Sequence, residues 1–101
     1  MKYGLNENII KNLKDIFSTF PEVEEVILYG SRAKGNFKNG SDIDLTIKGE
    51  KLNLNILNSI SLKIDDLYLP YTFDLSLFKS IDNPELLAHI NRIGINIYNL
   101  L

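Results

Sequence analysis

Cysteine and tryptophan are absent from this sequence, which has one histidine and three prolines among its 101 residues. The lack of cysteine excludes disulfide bonds and thiolate metal sites. No apolar segment approaches the ~20 residues of a membrane-spanning helix, and the first residues lack a basic stretch followed by an apolar run. We therefore expect a soluble, cytoplasmic protein that does not associate with membranes.

A strong charge of either sign is also missing. The formal net charge is −2, and the lysines and arginines are scattered along the chain. Direct binding to nucleic acid is therefore not expected, because such surfaces cluster basic residues to neutralise phosphates. With 45% hydrophobic side chains, residues 1–101 can bury a core and are expected to form a single domain. An enzyme of this size would need a partner to complete a substrate site.

The periodicity of the apolar residues predicts an amphipathic helix near each end of the chain. The first spans about residues 6 to 20, with Asn6 as a plausible N-cap. The last begins at Asn83, whose side chain can cap the helix, and has Pro84 at its first helical position. Gly94 ends it.

Strand patterns lie between and after these helices. A nearly continuous apolar run covers residues 23–29, whereas residues 42–48 and 71–78 alternate apolar and polar side chains. Residues 51–67 predict a helix by their length, although the first apolar residues of this stretch would also fit a strand. Residues 95–98 form a short strand or an extended tail. This order predicts an α/β (α+β) fold: a small mixed β-sheet with helices on one or both faces.

Three aspartates are candidates for a metal site. Residues i and i+2 of a strand point to the same face, so Asp42 and Asp44 can converge on one point. Asp74 would join them if its strand lies beside theirs and faces the same way. Three carboxylates without a cation would repel one another, and an all-oxygen ligand set of this kind suits Mg²⁺ or Mn²⁺. Such ions can stabilise the attacking and leaving oxygens of a phosphoryl or nucleotidyl transfer.

A Gly-Ser pair at the end of the first strand is a candidate phosphate site. Gly30 lets the backbone approach a ligand, and a helical turn over residues 31–34 would direct N–H groups at an anion. Ser31 adds a hydroxyl donor, while Arg32 and Lys34 add positive charge. Taken alone, an Asp-x-Asp pair is common by chance and a Gly-Ser pair is commonly a turn. Their order and spacing together are much more specific.

The chain resembles the minimal nucleotidyltransferases, the MNT family of the DNA polymerase β-like superfamily, over nearly its whole length. The resemblance lies in the segments Tyr29-Gly30-Ser31-Arg32-Ala33-Lys34-Gly35, Ser41-Asp42-Ile43-Asp44-Leu45 and Phe73-Asp74-Leu75, and in the ending His89 to Tyr98. It implies the polymerase β-like nucleotidyltransferase fold and a Mg²⁺-dependent transfer, with Mn²⁺ as a possible substitute, that uses ATP as substrate.

The resemblance also assigns site residues and a partner. The implied residues are Gly30, Ser31 and Arg32 for the nucleotide, and Asp42, Asp44 and Asp74 for the metal and catalysis. Asp74 would be a third ligand or the base toward the attacking hydroxyl. Family members of this size usually act as antitoxins beside a helical HEPN-type toxin. The better-understood members transfer AMP from ATP to a tyrosine of that toxin.

Two other functions stay open. The chain could be a binding module that neutralises a toxin by complex formation, with catalysis incidental. Transfer to a small molecule ranks last, because enzymes of that kind in the superfamily usually carry an additional helical domain for the acceptor. His89 lies between the apolar positions Leu86 and Ile90, and is interpreted as a packing or hydrogen-bonding residue rather than a catalytic one.

Overall fold

Four strands form a mixed sheet, and helices pack on both of its faces. The computed structural model describes residues 2–100. The helices are α1 (Glu7–Ser18), α2 (Gly30–Lys34), α3 (Leu54–Asp65) and α4 (Pro84–Ile93), with a 3-10 turn at Phe78–Ser80. The strands are β1 (Glu25–Tyr29), β2 (Ile43–Lys48), β3 (Phe73–Leu77) and β4 (Ile95–Asn99). The predicted α/β class is confirmed. Among the described residues, no helix is both long enough and apolar enough to cross a membrane.

Asparagine side chains start three of the helices. Asn6, Asn53 and Asn83 each accept a backbone N–H from the first turn of the helix that follows. Such caps satisfy N–H groups that have no partner inside the helix. The predicted cap at Asn6 and the predicted start at Asn83 and Pro84 are therefore confirmed. Helix α1 ends at Ser18, slightly before its predicted end.

The ambiguous stretch between β2 and β3 is the helix α3, so the helical prediction is confirmed and the strand alternative is wrong. The crossover through α3 lets β2 and β3 run parallel, since parallel neighbours need a connection of a dozen or more residues. Residues 95–99 form a strand that pairs antiparallel with β1. The strand order across the sheet is therefore β3-β2-β1-β4.

The two faces of the sheet differ in chemistry. The first, which we call the core face, packs against α1 and α3. Its buried residues include Val26, Leu28, Ile43, Leu45 and Ile47, which meet Leu13, Phe17, Ile60 and Ile64 of the helices. The second, which we call the acid face, carries Asp44, Thr46 and Asp74, and α4 packs through Ile90 on its β1 side. The predicted alternation along β2 is confirmed.

Candidate active site

A row of three side chains crosses the acid face. Tyr29 on β1 is the antiparallel partner of Asp44 on β2, and Asp74 on β3 is the parallel partner of Asp44. Neighbouring strands lie about 4.8 Å apart, and paired residues project to the same side of a sheet. The structure thus places Asp74 beside Asp44, as a three-carboxylate site requires. Asp42 lies two residues before Asp44, just outside β2.

The carboxylates influence one another electrostatically. Asp44 is half-buried, whereas Asp42 and Asp74 are exposed. Burial, and then the charges of Asp74 and Asp42, raise the pKa of Asp44 above its ordinary value. Converging negative charges disfavour the ionised form in this way. Within residues 2–100, no three His, Asp or Glu side chains stand close enough together to hold a metal ion. Sharing an ion therefore requires the carboxylates to turn toward one another.

Two hydroxyl groups are hydrogen-bonded to each other next to the acids. Thr46 and Ser76 are paired on β2 and β3, two residues after Asp44 and Asp74. The Ser76 hydroxyl donates to Oγ1 of Thr46 at 3.0 Å. Burial raises the pKa of Tyr29; a hydrogen bond with Ser76 opposes the rise, and the charges of Asp74 and Asp44 add to it. The alternation of the two strands predicts that Thr46 and Ser76 lie on the same faces as the acids, but it gives no signal for the bond between them.

Gly30 brings the backbone up against Asp44. Its φ is +75°, a left-handed conformation that glycine adopts without steric cost. A Cβ added at this position would overlap the carboxylate oxygen Oδ2 of Asp44. Ser31 follows immediately in α2 and is partly exposed. The Gly-Ser turn and the acid row therefore form one continuous site.

His89 joins this site from α4. Its Nε2 accepts the backbone N–H of Gly30 at 3.1 Å. Its ring meets Tyr29 edge-on, with the two ring centroids 6.3 Å apart. The predicted hydrogen-bonding role is confirmed. The location of His89 beside the acid row was not predicted, because its partner Gly30 is 59 residues away in sequence.

Arg32 makes contacts that differ from the predicted contact with a nucleotide. Its side chain is only 3% exposed. Nε and Nη2 donate to the carbonyl of Ser41 at 3.1 and 2.9 Å, and Nη1 donates to the carbonyl of Tyr3 at 2.9 Å. The guanidinium also lies 5.1 Å from the ring centroids of Phe37 and Tyr71. Arg32 therefore fastens the loop that leads into β2, and its placement does not support a direct phosphate contact.

A cavity of about 590 Å³ borders Arg32 but lies outside the acid row. Its lining residues are Tyr3, Gly4, Arg32, Phe37, Lys38, Asn39, Gly40 and Tyr71. None of the three aspartates is among them. Carboxylates and a close backbone turn meet at the acid row and not in this cavity.

The sequence of the site matches a known family. Residues 11–100 match the family model described as "Polymerase beta, Nucleotidyltransferase". This range contains the acid row, the Gly-Ser turn and His89. No curated protein matches the chain significantly.

Solved structures share the fold. A toxin–antitoxin with AMP-PNP matches with a TM-score of 0.70 and 23% identity, over 94% of this chain and 74% of that chain. A tri-AMPylated Shewanella oneidensis HEPN toxin in complex with MNT antitoxin matches with a TM-score of 0.60 and 20% identity, over 91% and 67%. A tyrosine-to-alanine variant of the toxin–antitoxin MntA-HpeT matches with a TM-score of 0.64 and 28% identity, over 91% and 71%.

Proposed function

Because the chain belongs to the polymerase beta nucleotidyltransferase family, we propose that it transfers AMP from ATP to a tyrosine of a HEPN-type toxin. In this way it would act as the antitoxin of that toxin. The observation that carries the proposal is the acid row with Gly30 packed against it. Carboxylates on adjacent strands offer oxygen ligands to a cation, and the glycine turn lets the backbone come close to them.

Asp42, Asp44 and Asp74 are proposed as ligands of Mg²⁺, with Mn²⁺ as a substitute. Their donor set is all oxygen, as these ions prefer. The raised pKa of Asp44, due to burial and to the other two acids, supports this proposal, because a nearby positive charge would relieve the repulsion among the carboxylates. When bound, the ion supplies positive charge to the phosphate oxygens of the nucleotide.

Gly30 and Ser31 are proposed to bind the nucleotide phosphates. The missing side chain at Gly30 lets the Asp44 carboxylate lie directly against the turn, and the Ser31 hydroxyl can donate to a phosphate oxygen. Arg32 is proposed to act indirectly. Its guanidinium holds the loop that precedes the acids through the Ser41 carbonyl.

The transfer forms one bond and breaks another. The phenolic oxygen of the acceptor tyrosine attacks the α-phosphorus of ATP, the bond to the bridging oxygen breaks, and pyrophosphate leaves. Asp74 is exposed and lies on an edge strand, so it can accept the phenolic proton. Tyr29 is a poor acceptor, because it is buried and burial raises its pKa.

The similar structures support this choice of donor and acceptor. One is a toxin–antitoxin with AMP-PNP, and another is an AMPylated HEPN toxin in complex with an MNT antitoxin. A protein acceptor that brings its own hydroxyl needs no separate acceptor domain. ATP is a cytoplasmic donor, and we place the reaction in the cytoplasm.

The test is transfer of label from ATP labelled at its α-phosphate to a HEPN-type toxin, which is sought first in the neighbouring open reading frames. With Mg²⁺ present, we expect the wild type to place label on a tyrosine of that protein, and the isosteric variant D44N to place none. The complex is first verified by gel filtration. A complex that forms normally but transfers no label with the wild type contradicts the proposal.

A further inference from the structure

A hydrogen bond joins His89 to Gly30 across two separate parts of the site. His89 lies on α4, whereas Gly30 lies at the junction of β1 and α2. Nε2 of His89 accepts the Gly30 N–H at 3.1 Å, and the contact is partly shielded from solvent. An accepting Nε2 carries no proton, so the ring proton of the neutral imidazole must be on Nδ1. The imidazole therefore acts toward the turn as an acceptor alone.

The bond from His89 restrains Gly30, whose backbone torsion angles are not limited by a side chain. Glycine has more conformational freedom than any other residue, and Gly30 adopts a φ of +75° that it could readily leave. Gly30 also lies directly against Asp44, because the Asp44 carboxylate occupies the space that a Cβ of Gly30 would need. An acceptor on a separate helix fixes the peptide plane that ends at the Gly30 nitrogen.

We propose that His89 is a positioning residue for nucleotidyl transfer. By accepting the Gly30 N–H, it holds the Gly30-Ser31 turn in the orientation that binds the nucleotide phosphates. This bond uses the Gly30 N–H, so Gly30 contributes its close approach to Asp44 and Ser31 contributes the donors to the phosphates. His89 itself touches neither nucleotide nor acceptor in this scheme. The inference rests on the proposed function and adds a residue from α4 to it.

A purely structural histidine would have different consequences. His89 also contacts Tyr29 through its ring edge, and that packing alone would stabilise α4 against β1. Phenylalanine keeps an aromatic ring but lacks an acceptor, whereas glutamine keeps a side-chain acceptor but lacks the ring. H89F and H89Q therefore separate the two roles. Asn91 is exposed on the same helix, so N91A serves as the control.

The experiment measures the dissociation constant of AMP-PNP by calorimetry and the kcat and KM for ATP in AMP transfer. For H89F we expect both the dissociation constant and KM to rise about fivefold to tenfold, the effect of one lost hydrogen bond. We expect kcat to change by less than about twofold, because the bond acts on phosphate binding in the ground state and the transition state alike. H89Q should recover most of the affinity, and N91A should match the wild type.

Three outcomes overturn this role. Wild-type affinity in H89F shows that the bond does not position the turn. Equal losses in H89Q and H89F show that the ring, not the acceptor, matters. Protonation of Nε2 in the wild type, read from the imidazole ¹⁵N shifts, removes the bond itself and needs no variant to fold.

If the wild type neither binds AMP-PNP nor transfers AMP, the proposed function fails and the role of His89 fails with it. An unchanged H89F beside an active wild type overturns the role of His89 alone.

Discussion

The core face and the acid face are built from alternate residues of the same strands. On the core face, Ile43, Leu45 and Ile47 are completely buried against α1 and α3. On the acid face, the residues between them include Asp44, whose pKa is raised by burial and by two neighbouring acids. Stability and chemistry are thus assigned to opposite sides of one strand. Substitutions one residue apart on β2 should therefore have opposite consequences.

Removing the central acid should have the largest effect on activity. D44N keeps the shape of the side chain but removes a proposed metal ligand, so we expect AMP transfer to fall by about 10³-fold. The fold should be retained, because Asp44 is not part of the core face. Activity is measured as label transferred to the toxin, and folding by circular dichroism. Transfer at the wild-type rate would place the chemistry elsewhere.

The same variant separates the catalytic antitoxin from the non-catalytic one. If neutralisation needs AMP transfer, cells that produce the toxin together with D44N should stop growing. If complex formation alone neutralises the toxin, D44N should protect as well as the wild type.

The neighbouring core residue should show the reverse pattern. L45A removes a completely buried side chain, so we expect the free energy of unfolding to fall by about 2–5 kcal/mol. Activity per folded molecule should be kept at a temperature where the variant is folded. Urea unfolding measures the loss. L62A is the control, since Leu62 is 65% exposed and its truncation should change stability by less than about 0.5 kcal/mol. Equal losses in both variants would contradict the assignment of the core face.

Gly30 and Gly35 both have a positive φ, so substituting each one distinguishes backbone strain from a steric clash with Asp44. G30A and G35A each place alanine at a positive φ, which costs about 1–2 kcal/mol. A Cβ at Gly30 would also displace the Asp44 carboxylate, whereas a Cβ at Gly35 would meet nothing within 4 Å. We expect G30A to lower transfer by about 10²-fold and G35A to leave it near the wild-type rate. Equal activities would mean that Gly30 and Asp44 do not act as one site.

Ionised Asp44 should lower the free energy of unfolding, and this effect should depend on pH. Burial and the neighbouring acids raise the pKa of Asp44 in the folded state, so the folded protein favours protonated Asp44. The stability that its protonation provides is present at low pH and is lost as the pH rises through the folded-state pKa. In EDTA, D44N should therefore be more stable than the wild type at pH 7, and this difference should shrink toward pH 4. D65N removes a surface carboxylate and corrects for net charge. A difference that grows toward pH 4 would contradict the raised pKa.

Local patterns predicted the elements well, because caps and alternation act over a few residues. Asn6 and Asn83 cap helices as expected, and the face of β2 that carries Asp44 follows from its alternation. Contacts between distant segments could not be predicted in this way. The bond from Gly30 to His89 depends on how α4 packs against β1, and nothing near either residue indicates it.

The direction of the Arg32 side chain is a second feature that the sequence did not predict. A basic residue after a Gly-Ser pair is typical of a phosphate site, yet the guanidinium is buried against the Ser41 carbonyl and two aromatic rings. Its direction depends on where the chain from Tyr3 and the loop around Phe37 fold back over α2. The placement of Asp74 beside Asp44 depends on the parallel register of β2 and β3. Alternation within each strand does not predict which residues of two strands lie opposite each other.

The most direct test of the account is whether the acid face binds a divalent ion together with a nucleotide. Mn²⁺ binding is measured by electron paramagnetic resonance in the presence of AMP-PNP, for the wild type and for the double variant D44N/D74N. We expect protein-bound Mn²⁺ with the wild type and its loss in the variant, with both proteins folded. Equal Mn²⁺ binding by the two proteins would contradict the claim that these carboxylates hold the ion.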